Sequence, residues 1–518
     1  MFDLILTNGQ IVDGTGKKKY VADIGIKKGK ISAIGDLKNV QKSKVIECKN
    51  YIVSPGFIDL HSHSDLQILN HKIEKLLQGV TTEVVGNCGF SCFPISSEKY
   101  QMTRDFSSPI FGDFKSKWNW EDAKSYFKEL KKNSLVLNVA SLVGHGTLRI
   151  SVMGFSDKSP SREQLREMKK KLEKEIADGA VGFSSGLMYS PGSFSNKDEL
   201  IELNRLLKGK NKFYASHMRS YSFQVVESIK ETIEVGMAAN VPVQISHLQC
   251  VGQDNWNKLD TVLDLVSKAS DEGLDISIDA YPFLAGSTVM TQLLPQWMLE
   301  GGIKKMLDRI NNYRLRDKAE QETEELLDVR WNDLFISSVA SQKNKKLVGM
   351  NLSEISKIKN IKPVKVVFDL LSEEKGKVMI ISFNQPEENL IKVLSYPSTM
   401  IITDGLYVKG FPHPRLYSTY PIFIGKYIKE LKIMTLEEGI MKLTSLPARR
   451  LGIKDIGTIE VGKRADLTIF DYKTYNSKAT YTRPKIKPVG IKSVIISGNV
   501  VVNNGKFTGK LLGEVLKN

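Results

Sequence analysis

From about residue 55 to residue 452 the chain alternates short apolar, strand-like runs with amphipathic, helix-like stretches, and that order is the signature of βα units. The strand-like runs fall at residues 56–60, 81–86, 136–143, 180–184, 213–216, 241–246, 275–281, 378–383 and 399–403. Helical periodicity marks 161–178 and 223–235, and Ser161 followed by Glu163 and Gln164 reads as a helix start. Nine candidates exceed the eight strands of a closed barrel, so the run at 378–383 is assigned to an insertion. The charged, less regular stretch at about 290–377 forms the rest of it. Both ends of the chain are all-β in texture. Residues 3–7, 10–12, 22–27, 30–34 and 43–47 precede the alternating region, with Asn8-Gly9 read as a turn. Residues 466–470, 491–496 and 500–502 follow it. The expectation is an α/β chain: a (β/α)8 TIM-like barrel over 55–452 with a small inserted subdomain, and a β-sandwich domain formed by 1–54 and 453–518. A doubly wound sheet is the alternative, but the strand count and the β-rich ends favour the barrel.

Composition narrows the function classes. The 518 residues are 41% hydrophobic and 25% charged, which suits a globular protein and argues against disorder. Four scattered cysteines (Cys48, Cys88, Cys92 and Cys250) give no disulfide framework and point to a reducing, cytoplasmic setting. Neither a signal-peptide pattern at the start nor a bilayer-length apolar run appears, so no membrane association is expected. The net charge of +16 invites a nucleic-acid reading. The basic residues are dispersed, as in Lys169-Lys170-Lys171 and Lys345-Lys346, and no nucleic-acid-binding motif surrounds them, so a lysine-rich surface is the better reading. No oligomeric state is specified.

Five of the seven histidines lie in short motifs suited to a metal: His61, His63, His217, His247 and His413. In an extended chain residues two apart point the same way, so His61 and His63 can converge on one ion. Alone, His-x-His is as well explained by two exposed polar residues. His217 and His247 also end strand-like runs, and in a barrel consecutive strand ends are neighbours. Cys88 follows another apolar run. A single Cys is more often a small buried hydrophobe, but beside converging histidines it becomes a plausible thiolate ligand. Cys92 and Cys250 fall beyond strand ends and read as structural. Asp404 ends the run at 399–403, where a carboxylate can take a proton from an attacking water; the bland reading is an Asp-Gly turn. Arg415, after His413-Pro414, can grip a carboxylate with two parallel hydrogen bonds. Tyr189, Tyr281 and Ser287 follow other strand-like runs and can add hydroxyl donors; each alone is more often structural.

Taken together, these residues resemble the D-aminoacylase (N-acyl-D-amino-acid deacylase) branch of the amidohydrolase superfamily. The likeness runs through Pro55-Gly56-Phe57-Ile58-Asp59-Leu60-His61-Ser62-His63, Gly86-Asn87-Cys88-Gly89, Ser216-His217-Met218-Arg219 and Ile245-Ser246-His247-Leu248. It continues through Asp279-Ala280-Tyr281-Pro282, Thr403-Asp404-Gly405, His413-Pro414-Arg415-Leu416 and Gly462-Lys463-Arg464-Ala465-Asp466-Leu467, and so covers nearly the whole chain. The resemblance implies a tightly held zinc on Cys88, His217 and His247, with a second, weaker site near His61 and His63. It implies Asp404 as acid–base. Arg415, Tyr281 and Ser287 match positions that receive the substrate carboxylate, and Tyr189 one near the scissile carbonyl. Two departures from the family pattern stand out. Gln249 stands where members usually carry Lys, removing a cation from the carboxylate pocket, and Ser220-Tyr221 replace an acidic or Asn-Glu pair.

The implied activity is zinc-dependent hydrolysis of N-acyl-D-amino acids, or related small N-acyl compounds, to a carboxylate and a free amine. A cyclic-amide hydrolase of the hydantoinase or dihydroorotase kind is the alternative. Those relatives commonly use a carboxylated Lys on the fourth strand, and Gly182-Phe183-Ser184-Ser185-Gly186 has none. A metal-free scaffold is the third reading, disfavoured by the intact ligand set.

Overall fold

The computed structural model describes residues 1–37, 44–112, 114 and 117–518. At the N-terminal end lie β1 (Leu4–Ile11), β2 (Tyr20–Lys27), β3 (Lys30–Gly35), β4 (Val45–Glu47) and β5 (Ile52–Pro55). Ser43, the first residue of the expected run at 43–47, lies outside the described residues. The Asn8-Gly9 turn expected from the sequence is not a turn. β1 continues through it, with a register shift against β2 between Leu6 and Gly9. Asn8 takes the left-handed φ of 58° that the bulge needs, and its N–H donates to Asp23 Oδ1 at 2.8 Å.

The middle of the chain supplies β6 (Phe57–Asp59), β7 (Val80–Val85), β8 (Asn138–Ser141), β9 (Val143–Gly144), β10 (Gly182–Gly186), β11 (Phe213–His217), β12 (Val243–Ile245) and β13 (Ile276–Ala280). After them come β14 (Ala285–Val289), β15 (Leu334–Ser338), β16 (Met379–Phe383) and β17 (Thr399–Ile401). Two parallel sheets form, β6-β7-β8 and β17-β13-β12-β11-β10-β9. They meet at both sides. Only Leu142 separates β8 from β9, and its N–H donates to Val85 O at 2.9 Å. Beyond β17, Asp404 N–H donates to His61 O at 2.9 Å and His63 N–H to Gly405 O at 3.3 Å. Every residue of β7, β10, β11 and β13 is buried, as expected for parallel strands covered by helices. The helix Arg162–Asp178 starts as the sequence suggests. Ser161 Oγ accepts from Gln164 N–H at 3.2 Å, and the Gln164 side chain accepts from Ser161 N–H at 2.9 Å.

The strand at 378–383 does not join the parallel sheets. β16 lies between β14 and β15 in a three-stranded antiparallel sheet, packed on a separate apolar cluster that includes Met298, Val366, Phe368 and Leu371. The C-terminal strands are β18 (Leu467–Phe470), β19 (Ile491–Ile496), β20 (Asn499–Asn503) and β21 (Lys506–Phe507). β18 pairs with β5, and the strands of both termini make one continuous nine-stranded sheet. The sequence suggested one β-sandwich domain formed by both termini. The β5–β18 ladder merges the halves, and Leu6, Ile24 and Val53 share an apolar cluster with Leu467 and Ile469.

Beneath the ends of β6 and β7 sits a fully buried cation. Lys75 Nζ lies 2.9 Å from Asp59 Oδ2 and 2.8 Å from Glu83 Oε2, and donates to Ser64 Oγ at 3.0 Å and to Ser62 Oγ. Asp59 in turn accepts from Thr403 N–H at 2.9 Å and Thr403 Oγ1 at 2.6 Å, which ties β6 to the segment after β17. Burial opposes the Lys75 charge, but the two carboxylates raise its pKa above the ordinary value. Removing one partner of a buried ion pair typically costs about 3–5 kcal/mol. Lys75→Met is therefore expected to lower stability by about that amount in urea denaturation, more than Lys→Met at an exposed position such as Lys268.

Candidate metal centre

The metal-type side chains sit at the ends of the parallel strands, on backbone that L-residues seldom adopt. Cys88, His247 and Asp404 take φ of 53°, 32° and 46°. Left-handed backbone at non-glycine residues is uncommon and clusters at functional sites. Around Cys88 the chain turns tightly at Gly86 and Gly89. A Cβ on Gly86 would lie 2.3 Å from Leu142 O, so that turn requires glycine.

This turn aims the Cys88 thiol at the histidines. Sγ is 3.2 Å from His61 Nε2 and 3.6 Å from His247 Nε2, and His217 Nδ1 is 3.0 Å from His247 Nε2. Two overlapping ligand groups result, Cys88–His217–His247 and His61–His63–Cys88; within each, the ligand atoms lie within 4.8 Å of one another. One soft thiolate with two imidazoles is a donor set suited to zinc. Burial, as the leading effect, lowers the pKa of His63 and His247 to about 4, so both rings are neutral near pH 7 and keep a lone pair.

Asp404 closes the site. Its Oδ1 is 3.1 Å from His63 Nε2 and 3.6 Å from His61 Nε2, and its Oδ2 is 2.8 Å from Arg415 Nη1. Burial alone would raise its pKa, but Arg415 and the surrounding histidines hold it well below the carboxylate range, so it is ionised. The Arg415 guanidinium stacks over the Tyr281 ring at 4.7 Å and donates from Nη2 to Ser287 O at 3.3 Å. Tyr189 packs its ring 4.8 Å from that of His217 and shares a 3.1 Å hydrogen bond with Thr288 Oγ1. A cavity of about 430 Å³ is lined by Tyr189, His217, His247, Gln249, Tyr281, Ser287, Asp404 and Arg415. His61, His63 and Cys88 lie next to it, with Cys88 Sγ 3.6 Å from His247 Nε2, so eleven of the residues singled out in the sequence come together and His413 does not join them as a ligand.

Three cysteine and histidine positions stand apart. His413 is not in either ligand group: its Nε2 is 2.8 Å from Ala285 O and its Nδ1 accepts from Arg415 N–H at 3.0 Å. Its ring fixes the Arg415 turn against β14. Cys92 and Cys250 are buried and belong to neither ligand group. Two contributors were missed. Asp279, at the end of β13, accepts from His247 N–H at 2.5 Å and lies 3.5 Å from His61 Nδ1. Tyr221 accepts from Met218 N–H at 3.0 Å, donates to Ser246 O at 2.9 Å, and packs 5.1 Å and 5.2 Å from the His217 and His247 rings. A carboxylate ending an otherwise apolar strand was the available signal for Asp279.

A model of the amidohydrolase family matches residues 411–502. The D-aminoacylase of Alcaligenes xylosoxydans xylosoxydans is 32% identical over 517 residues, 99% of this chain and 97% of that one. The chain belongs to the D-aminoacylase family. A second relative of that organism, an N-acyl-D-glutamate deacylase, is 30% identical across 96% of this chain and 93% of its own. The crystal structure of N-acyl-D-glutamate deacylase from Bordetella bronchiseptica, complexed with zinc and a phosphonate inhibitor that mimics the tetrahedral intermediate, superposes with a TM-score of 0.86 at 28% identity, covering 100% of both chains. The D-aminoacylase likeness thus spans the whole chain, including both β-rich ends.

Cys88 is common to both candidate ligand groups, and Cys92 belongs to neither. Cys88→Ala is expected to lose bound zinc and activity together, whereas Cys92→Ala keeps both. Elemental analysis of the purified variants, alongside circular dichroism to check folding, decides it.

Proposed function

We propose that this chain hydrolyses the amide bond of N-acyl-D-amino acids with zinc on Cys88, His217 and His247. A second, weaker zinc site lies on His61 and His63, sharing Cys88. The observation that carries the reading is Asp404, an ionised carboxylate held between the histidine cluster and Arg415 at the buried end of a substrate-sized cavity. Zinc in this donor set supplies a Lewis acid that makes water acidic near neutral pH and polarises an acyl oxygen. Asp404 takes the proton of the attacking water and returns it to the leaving nitrogen. The Arg415 guanidinium, whose Nε has no hydrogen-bond partner among the described residues, receives the substrate carboxylate, aided by the Tyr281 and Ser287 hydroxyls. Tyr189, over His217, stands beside the scissile carbonyl, and Gln249 lines the carboxylate side.

The architecture we propose for this site is a single (β/α)8 barrel over 55–452. The Leu142 and Asp404 backbone hydrogen bonds at the two sheet junctions support closure. An inserted subdomain at about 290–377 lies between β14 and β16, and a β-domain comes from 1–54 and 453–518. Ligand strands end at one mouth in such a barrel, which accounts for the convergence of side chains from β6, β7, β11, β12 and β17. The proposed setting is cytoplasmic, with a small-molecule substrate and no nucleic-acid or membrane partner. Four free buried cysteines, and no helix among the described residues long and apolar enough to cross a membrane, support it. A cyclic-amide hydrolase is less well supported, because β10 carries no lysine and Cys88 occupies the ligand role.

Assayed with added zinc, N-acetyl-D-amino acids should be hydrolysed and their L-enantiomers spared; equal rates, or hydrolysis confined to cyclic amides, would remove the reading. Asp404→Asn should fold and bind zinc yet lose about 10²–10⁴-fold in kcat, the usual contribution of general acid–base catalysis.

A further inference from the structure

Beyond Arg415 the cavity opens toward the antiparallel sheet, and its chemistry changes. The walls there are apolar: Val251, Leu294, Leu327, Val329 and Ile380. Among them are hydroxyls and amides such as Ser220, Gln292 and Ser382, and three side chains that offer acceptor oxygens: Gln249, Asn384 and Asp328. Gln249 is 8% exposed and Asn384 7%; the Gln249 amide bonds to the Tyr281 side chain, and among the described residues the oxygens Oε1 and Oδ1 have no hydrogen-bond partner. An unsatisfied buried acceptor costs about 1–3 kcal/mol, so a ligand that brings a donor is favoured. Asp328 lines the same region with Ser222. The Ser222 hydroxyl is its side-chain partner, burial raises its pKa, and among the described residues no cation forms an ion pair with it. The one other guanidinium on the cavity wall is already occupied. Arg219 pairs with Glu231 at 2.9 Å and 3.0 Å and donates to Ser193 O and Ser195 O at 2.9 Å and 3.0 Å. A second carboxylate entering here would meet Asp328 and no free cation, and a buried unpaired charge is strongly disfavoured.

Resting on the deacylase reading above, we infer that this outer region is a side-chain subsite for N–H donors. It takes an N-acylated D-residue with an aliphatic stem ending in a carboxamide or an ammonium group, and it rejects side-chain carboxylates. The stem lies along Leu294, Leu327 and Val329; the donor tip satisfies Gln249, Asn384 and Asp328. In this respect the chain departs from a relative that acts on N-acyl-D-glutamate.

The test compares kcat/KM of the zinc-loaded protein for N-acetyl-D-glutamine, N-acetyl-D-lysine, N-acetyl-D-methionine and N-acetyl-D-glutamate. Glutamine and lysine derivatives should each exceed the glutamate derivative by about ten-fold or more, the effect of a charge-assisted hydrogen bond. Asp328→Asn should lower the lysine-to-methionine ratio by about ten-fold, a ratio that a mere loss of folded protein does not move. Gln249→Lys should raise the glutamate-to-glutamine ratio, and this variant serves if Asp328→Asn does not fold. A carboxamide preference that survives Asp328→Asn with no lysine preference assigns the tip to Gln249 and Asn384 alone. Glutamate matching or exceeding glutamine and lysine, while hydrolysis of the panel persists, overturns the subsite and leaves the deacylase reading intact. Failure to hydrolyse any of the four overturns the deacylase reading and the subsite with it.

Discussion

The Cys88 sulfur, 3.2 Å from His61 Nε2 and 3.6 Å from His247 Nε2, joins ligands that come from opposite sides of the strand array. Its position depends on a backbone that bends at Gly86, is left-handed at Cys88 and bends again at Gly89. Such a conformation persists only when its surroundings over-determine it. Here they do: Asn87 donates to Val84 O at 3.0 Å, Gly89 N–H donates to Ser184 Oγ at 3.1 Å, and Ser184 Oγ donates to Gly86 O at 2.5 Å. The β7 turn is thereby pinned to β10, and the thiol is presented to rings that reach it from β6 and β12.

The buried charges around this sulfur are arranged in two layers. Below, Lys75 bridges Asp59 and Glu83, which also accept hydrogen bonds from Thr403 and Ser62, and so fixes the segment that carries His61 and His63. Above, Arg415 neutralises Asp404, and Asp279 receives the His247 backbone N–H and faces His61. Each of these four carboxylates has a cation or several donors, which is the condition for burying it at acceptable cost. Asp404 is thereby held ionised while His63 and His247 are held neutral; burial raises the Cys88 thiol, and Cys88 and Asp279 raise His61 against the effect of burial, so a metal bound there would displace protons from both.

Much of this was legible in the sequence because strand ends are local signals. An apolar run closed by His-Ser-His, Ser-His or Thr-Asp-Gly identifies both the strand and the side chain that leaves it, and β6, β11, β12 and β17 end within two residues of those runs. Counting set the run at 378–383 apart from the other strand-like runs, and β16 pairs antiparallel with β14 and β15 rather than joining a parallel sheet. What stayed hidden depends on partners far away in the chain. Asn8-Gly9 has the composition of a hairpin turn, but Asp23 and the β2 register make it a bulge within one strand. The single nine-stranded sheet depends on β5 meeting β18 across more than four hundred residues. Asp279 looked like part of a strand, and Tyr221 like a substitution in a loop; only the folded chain shows them bracing His247. His413 looked like a ligand because its motif is histidine-bearing, yet both its ring nitrogens serve the backbone.

The central claim is that zinc is held through a thiolate among imidazoles. Zinc K-edge X-ray absorption on the protein loaded with one zinc per chain measures that directly. The account predicts one sulfur neighbour at about 2.3 Å together with nitrogen neighbours at about 2.0–2.1 Å. A coordination shell of nitrogen and oxygen alone, with no sulfur at that distance, would contradict it.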